Sequence, residues 1–213
     1  MAVVNGYVDW AMMIYPGNKN KVYSDVNSGE YFVFHSMEGN NMAYAYSMLQ
    51  NMSIQSSWMF STDKNGVLYQ HYPVTASCWA SGNYKINTSS WSHELVGFAG
   101  EPINNKQMET VQALIKEWEI YTGRKAERGK TIFEHKEVAQ WIVPNAGATS
   151  CPSNRYDKLW SKLKEGGGDM ELAEQLKALN EAVMKREDLR RVASGDYQNL
   201  LKAWEVLKAA GLL

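Results

Sequence analysis

The stretch SWSHELVGFAGEPINNKQMETVQALIKEWEIYTG, residues 90–123, changes its hydrophobic period partway along. Its first part, SWSHELVGF (90–98), reads as a strand. Alternation there puts Trp91, His93 and Leu95 on one face and Ser92, Glu94 and Val96 on the other. Its second part, KQMETVQALIKEWEIYTG (106–123), carries Met108, Val111, Leu114, Ile115, Trp118 and Tyr121 at helical spacing, with Gly123 as a stop signal. A strand that hands over to an amphipathic helix predicts helices packed on a sheet, the α/β class. The neighbouring segments agree. EYFVFHS (30–36) is a short apolar run ending at His35, and MAYAYSMLQNM (42–52) repeats Met42, Ala45, Tyr46 and Leu49 with a helical period. SSWMFSTDKNGVLYQHYP (56–73) gives two strand-like runs around Asp63-Lys64-Asn65-Gly66, whose Asn-Gly pair tolerates positive φ and signals a hairpin. KTIFEHKEV (130–138) is another apolar run ending at a histidine, and YDKLWSKL (156–163) opens a further helix.

EGGGD (165–169) reads as a linker, because three consecutive glycines carry too much backbone entropy for an element interior. The chain thus divides into a main domain over 1–164 and a small C-terminal helical region over 170–213. In that region Leu172, Leu176, Leu179 and Val183 mark one helix face. Tyr197, Leu200, Leu201, Trp204 and Leu207 mark a second, with Asp196 as N-cap. A helical hairpin of this size must dock on the main domain, on a second copy as a homo-oligomer, or on a partner such as a cell wall. Over the 213 residues the net charge is −1 and 21% of residues are charged, so no electrostatic footprint calls for nucleic acid or an anionic membrane. No run approaches the roughly 18 apolar residues of a membrane span. The N-terminus lacks the basic start and unbroken apolar run of a signal peptide, which predicts synthesis in a cytoplasm.

Four histidines and two cysteines are the scarce residues of chemical interest. His35 and His135 each end an apolar run, which delivers side chains to a sheet rim where open α/β folds bind ligands. Cys151 is expected to follow His135 across a loop turned by Pro144, Asn145 and Gly147. Two imidazoles and one thiolate would leave a fourth tetrahedral position open, the pattern of catalytic rather than structural zinc. From spacing alone His71, His93 or Cys78 could substitute, and a Cys78–Cys151 bridge competes. Glu94 faces inward from its strand; burying a carboxylate needs a metal-bound water or a basic partner as the reason.

Read together, FVFHS (32–36), SSWMFSTDKNGVLYQHYP (56–73), CWASGN (78–83), NTSSWSHELVG (87–97), EHKEV (134–138) and TSCPS (149–153) occur in the order of one family. Over about residues 25–163 the chain resembles the zinc-dependent N-acetylmuramoyl-L-alanine amidases. This is the amidase-2 group shared by phage endolysins, bacterial autolysins and peptidoglycan recognition proteins. The resemblance implies a central mixed β-sheet flanked by helices, and one Zn2+ per chain held by His35, His135 and Cys151. It makes Glu94 the catalytic carboxylate and Thr149 the residue that stabilises the oxyanion. Trp58, Trp79 and Trp141 become candidate walls of a substrate groove. The sequence departs from the family at Trp79-Ala80-Ser81-Gly82, usually Trp-His-Ala-Gly, and at Met59, where relatives often carry a histidine. Trp58 stands where some phage members use a tyrosine.

The activity so implied is hydrolysis of the amide between N-acetylmuramic acid and the L-alanine of the stem peptide in peptidoglycan. A phage endolysin that stays in the host cytoplasm until lysis is the role that fits. The alternatives are a recognition module that holds muropeptide without cutting it, and a glycosidase with two carboxylates about the scissile bond. Retention of Cys151 and Glu94 argues against the first; no second acid pairs with Glu94 to favour the other.

Overall fold

The computed structural model describes residues 3–12, 16–144 and 149–164. The linker at 165–169, the helices expected over 170–213, and Asn145 and Gly147 lie outside the described residues. In chain order the strands are β1 (Val3–Val4), β2 (Tyr7–Val8), β3 (Val22–Tyr23), β4 (Tyr31–Ser36), β5 (Phe60–Thr62), β6 (Leu68–Gln70), β7 (Ser77–Cys78), β8 (Ser90–Leu95) and β9 (Ile132–Glu134). The helices are α1 (Met42–Gln50), α2 (Tyr84–Asn87), α3 (Asn105–Thr122), α4 (His135–Trp141) and α5 (Asp157–Lys164). Five strands form the central sheet in the order β6-β5-β8-β4-β9. Its β5–β8, β8–β4 and β4–β9 pairs are parallel, and β6 returns antiparallel to β5 at the edge. The period change at residues 90–123 anticipates helices packed on a sheet, and the mixed strand directions are those that the family resemblance implies.

Parallel strands are covered on both faces, so β4 reads as a near-continuous apolar run and even the polar positions of SWSHEL in β8 are buried. Every residue of β8 is buried, and so is all of β4 after Tyr31. One face sends Phe32, Phe34, Phe60 and Trp91 into the main core against Trp118 of α3 and Trp160 of α5. The other face carries Val33, which packs with Ile86 of α2 and Val138 of α4 in a small second cluster. That thinly covered face is the one on which the polar residues His35, Glu94 and Ser61 lie in register.

Local chemistry fixes the elements. Asn104 caps α3 in a reciprocal capping box with Gln107, and Gly123 ends the helix at φ +69°. In the β5–β6 hairpin the Asp63 carboxylate accepts the N–H groups of Asn65 and Val67, both at 2.9 Å, and Gly66 sits at φ +82°. Two sequence expectations change. Tyr121, assigned to the buried stripe of α3, is 46% exposed. It lies on the last turn, with its ring 5.6 Å from Trp91. His135 does not end a strand: β9 stops at Glu134, and His135 opens α4. A helix therefore fills the first half of the interval to Cys151, where a loop was expected.

Trp118 is the keystone of the α3 contact. It is fully buried, meets Phe32 edge-on at 6.4 Å, and donates its indole N–H to the Gly29 carbonyl at 3.0 Å. Trp118→Ala should destabilise the protein by about 3–5 kcal/mol, read as a lower urea midpoint. Among the described residues no helix is long and apolar enough to cross a membrane.

Candidate metal centre

Three elements bring the scarce residues together. His35 lies one residue from the end of β4, His135 is the first residue of α4, and Cys151 follows the segment after it. Ligand atoms of the three lie within 4.8 Å of one another, and they are the group of this kind found among the described residues. The imidazole centroids of His35 and His135 are 4.6 Å apart. His35 Nδ1 is 4.0 Å from Cys151 Sγ. Tetrahedral bonds of the usual Zn–N and Zn–S lengths would set such a pair about 3.6 Å apart.

The donors are chemically prepared for a cation. His35 is fully buried, yet among the described residues Nε2 has no hydrogen-bond partner and Nδ1 meets only the sulfur. Burial, then the neighbouring imidazoles of His135 and His93, hold its pKa well below the ordinary value, so the ring is neutral. Burial also lowers His135. Its Nε2 lies 3.3 Å from the Ser81 carbonyl, an acceptor that sets the Nε2–H tautomer and leaves the lone pair on Nδ1. Cys151 receives the Ser36 backbone N–H on its sulfur at 3.3 Å. Burial and the charge of Glu94 push its thiol up to about 12. A coordinated divalent cation reverses that, because a coordinating thiol is deprotonated outright. Two neutral imidazoles and a thiolate precursor fit zinc.

Glu94 is the register partner of His35 on β4 and of Ser61 on β5. Its carboxyl is buried, and Oε2 has no hydrogen-bond partner among the described residues. The pairing with a lysine or arginine that the sequence left open is not seen among the described residues. Burial raises its pKa to about 8; the Arg155 charge opposes this, and Glu38 adds to it. Thr149 stands at the turn into Cys151, and its Oγ1 accepts the Cys151 N–H at 3.1 Å. That bond occupies a lone pair and leaves the hydroxyl proton free to donate.

The other candidates are placed elsewhere. His93 lies on the opposite face of β8, between the hydroxyls of Thr62 at 2.7 Å and Tyr156 at 3.2 Å. Because the Tyr156 hydroxyl donates to the His35 carbonyl at 3.1 Å, His93 Nδ1 carries the proton and Nε2 accepts from Thr62. Burial first, then the charges of Arg155 and His71, pushes His93 down to about 3. His71 hydrogen-bonds Ser61. Cys78 is buried in the core, and both cysteines are free, so no bridge joins them. Trp58 is only 3% exposed and donates to Ser61 Oγ at 2.8 Å, which makes it core rather than groove wall. Trp79 is half-buried beside Tyr23, and Trp141 at the end of α4 is 57% exposed.

Several supporting groups were invisible in the sequence. The Ser36 N–H and the Ser81 carbonyl are backbone groups, which no side-chain pattern can mark. Glu134 is fully buried, bonded by the Trp160 indole at 2.6 Å and paired with Lys136 at 2.7 Å. Lys136 also donates its backbone N–H to the Cys151 carbonyl at 2.7 Å and its ammonium to the Ser153 carbonyl. It thereby ties the His135 segment to the Cys151 segment. Arg155, in the polar run SNRYDK, is 1% exposed. Nothing in that run signals burial.

Among solved structures the chain is similar to a mutant endolysin from Bacillus subtilis, with 21% identity, 74% of this chain and 98% of that one covered, and a TM-score of 0.56. The catalytic domain of XlyA gives the same identity and coverage with a TM-score of 0.55. The Staphylococcus aureus hydrolase AmiA, solved in complex with its ligand, gives 16% identity over 64% of this chain and 72% of that one, with a TM-score of 0.53. At these identities the likeness is one of fold. No curated protein matches the chain. The Amidase_2 family model, described as N-acetylmuramoyl-L-alanine amidase, matches residues 25–154. That span contains the sheet and all three converging donors, and the chain belongs to the Amidase_2 family of N-acetylmuramoyl-L-alanine amidases.

Proposed function

We propose that this chain is a zinc-dependent peptidoglycan amidase that cuts between N-acetylmuramic acid and the L-alanine of the stem peptide. The observation that carries this reading is the convergence of His35, His135 and Cys151 on the sheet face that also presents Glu94. When bound, zinc supplies Lewis-acid polarisation and acidifies water. The residues of the chain do the rest. Glu94, raised toward neutrality by burial, accepts the proton of the attacking water and returns it to the departing L-alanine nitrogen. Thr149 donates its hydroxyl proton to the oxyanion that develops on the carbonyl. The neutral imidazoles and the Ser36 N–H hold the donor set in place. Of the three tryptophans singled out from the sequence, Trp141 and Trp79 remain available to line a groove.

The deciding experiment is mass spectrometry of purified peptidoglycan digested by the zinc-loaded protein. Free stem peptides beginning with L-alanine are expected. Intact muropeptide amides, or new reducing sugar ends, would sink the reading in favour of binding alone or of glycosidic cleavage.

For the remainder of the chain we propose residues 165–169 as a linker and 170–213 as a wall-binding region. The support is compositional: Gly166-Gly167-Gly168 interrupts the chain, and two amphipathic runs follow it. Removing residues 165–213 should weaken sedimentation with intact cell walls while leaving cleavage of soluble muropeptide unchanged. Unchanged sedimentation would discard this role. Action at the bacterial cell wall during lysis follows from the same proposal.

A further inference from the structure

Arg155 is a fully buried cation with no role in binding or proton transfer, and that demands a reason, since an arginine inside a protein must find acceptors for its N–H groups. Four bonds supply them. Nε donates to the Glu101 carbonyl at 2.9 Å, Nη1 to Ser36 Oγ at 2.9 Å and to the Leu95 carbonyl at 2.7 Å, and Nη2 to the Val96 carbonyl at 2.9 Å. Gly97 makes room for the fork, because a Cβ there would overlap the Arg155 guanidinium. The acceptors are not scattered. Ser36 follows His35 on β4, Leu95 follows Glu94 on β8, and Arg155 itself follows Cys151 by one turn of chain. One planar guanidinium thus joins the three segments that carry a proposed ligand, the proposed base and the proposed thiolate. The next residue repeats the pattern, as Tyr156 donates to the carbonyl of His35.

We infer that Arg155 is the positioning residue of the metal centre: its fork fixes Ser36 against Cys151 and holds the end of β8 so that sulfur, imidazole and carboxylate keep one geometry. The inference rests on the zinc reading above. A lysine cannot take over, because a point charge on a flexible stem lacks the planar fork that reaches both strand ends.

The test compares Arg155→Lys, Ser36→Ala and, as a control of similar or greater destabilisation on the opposite face of the sheet, Trp118→Ala. Zinc affinity is measured by chelator competition, and the cobalt(II)-loaded proteins are examined for the sulfur-to-cobalt absorption band. The wild type should bind one zinc; failure there rejects the zinc reading itself. Arg155→Lys should weaken zinc binding about 10–100-fold and shift or broaden the cobalt band, the size of effect seen when partners behind metal ligands are lost. Its kcat should fall while KM holds. Ser36→Ala, a smaller change that deletes the Arg155 acceptor together with the hydroxyl's bond to Glu38 and keeps the Ser36 N–H, should show the same changes at smaller amplitude. Trp118→Ala should lower the melting temperature with affinity and band unchanged. Should Arg155→Lys fail to fold, Ser36→Ala decides. Affinity within about threefold of wild type, with an unshifted band, in the folded variants overturns the inference.

Discussion

Cys151→Ser is expected to lose tight zinc binding and more than about 100-fold of the proposed amidase activity, while the fold survives. The expectation exceeds the 10–100-fold cost of disturbing partners behind a metal ligand, because this change removes a ligand itself. Serine keeps the volume of cysteine and can still accept the Ser36 N–H, so the local hydrogen bond is not the casualty. What goes is the thiolate. The hydroxyl of serine stays protonated where a coordinating thiol gives up its proton, and with it goes the charge that balances the cation. Metal analysis after gel filtration should find about one zinc per wild-type chain and far less in the variant. Equal zinc in both would remove Cys151 from the centre.

Glu94→Gln separates proton transfer from metal holding. Activity should fall by roughly 10²–10⁴-fold, the usual contribution of a general acid–base group, with zinc content unchanged. A second consequence concerns stability without metal. The ordinary carboxyl value of 4.5 is raised to about 8 at Glu94, chiefly by burial. Between those values the folded metal-free protein keeps a proton that the unfolded chain has released. Its stability contribution is therefore complete below about pH 4.5 and is lost as pH rises through about 8. Glutamine resembles the protonated acid at every pH. Metal-free Glu94→Gln should melt higher than metal-free wild type at pH 8–9, and the difference should vanish near pH 4.5. A constant difference across that range would mean that Glu94 is not the group being titrated.

The sequence exposed those parts of the molecule that depend on side-chain period and scarcity. The strand at 90–95 and helix at 105–122 follow from a change of period, and the Asp63–Gly66 turn from residues that accept positive φ. The His35, His135 and Cys151 trio became legible only through the order of several motifs, since spacing alone admitted His71, His93 and Cys78 equally. What stayed hidden was of two kinds. Short elements such as β3, β7 and α2 carry too few residues for a period to emerge. The groups that orient the donors are backbone atoms or buried charges, as with Ser81, Glu134 and Arg155, and burial of a charge is decided by tertiary partners. The start of α4 shows the same limit. The Glu137 carboxylate accepts the Glu134 backbone N–H at 2.8 Å and helps start the helix at His135, which the sequence read as the end of the preceding run.

The three donors come from positions 35, 135 and 151, with the central sheet assembled from the chain between them. His135 and Cys151 are 16 residues apart, but His35 precedes His135 by 100, so a chain still emerging from the ribosome cannot complete the centre before Cys151 is released. Closing so wide a loop carries an entropic penalty that only the finished parallel pairing of β4 with β8 and β9 can offset. Any ion captured there binds the native state alone, and at a thousandfold excess over its dissociation constant it would add about 4.1 kcal/mol to stability. The centre can therefore form only once the fold is complete, and any ion that binds there reports on the native state.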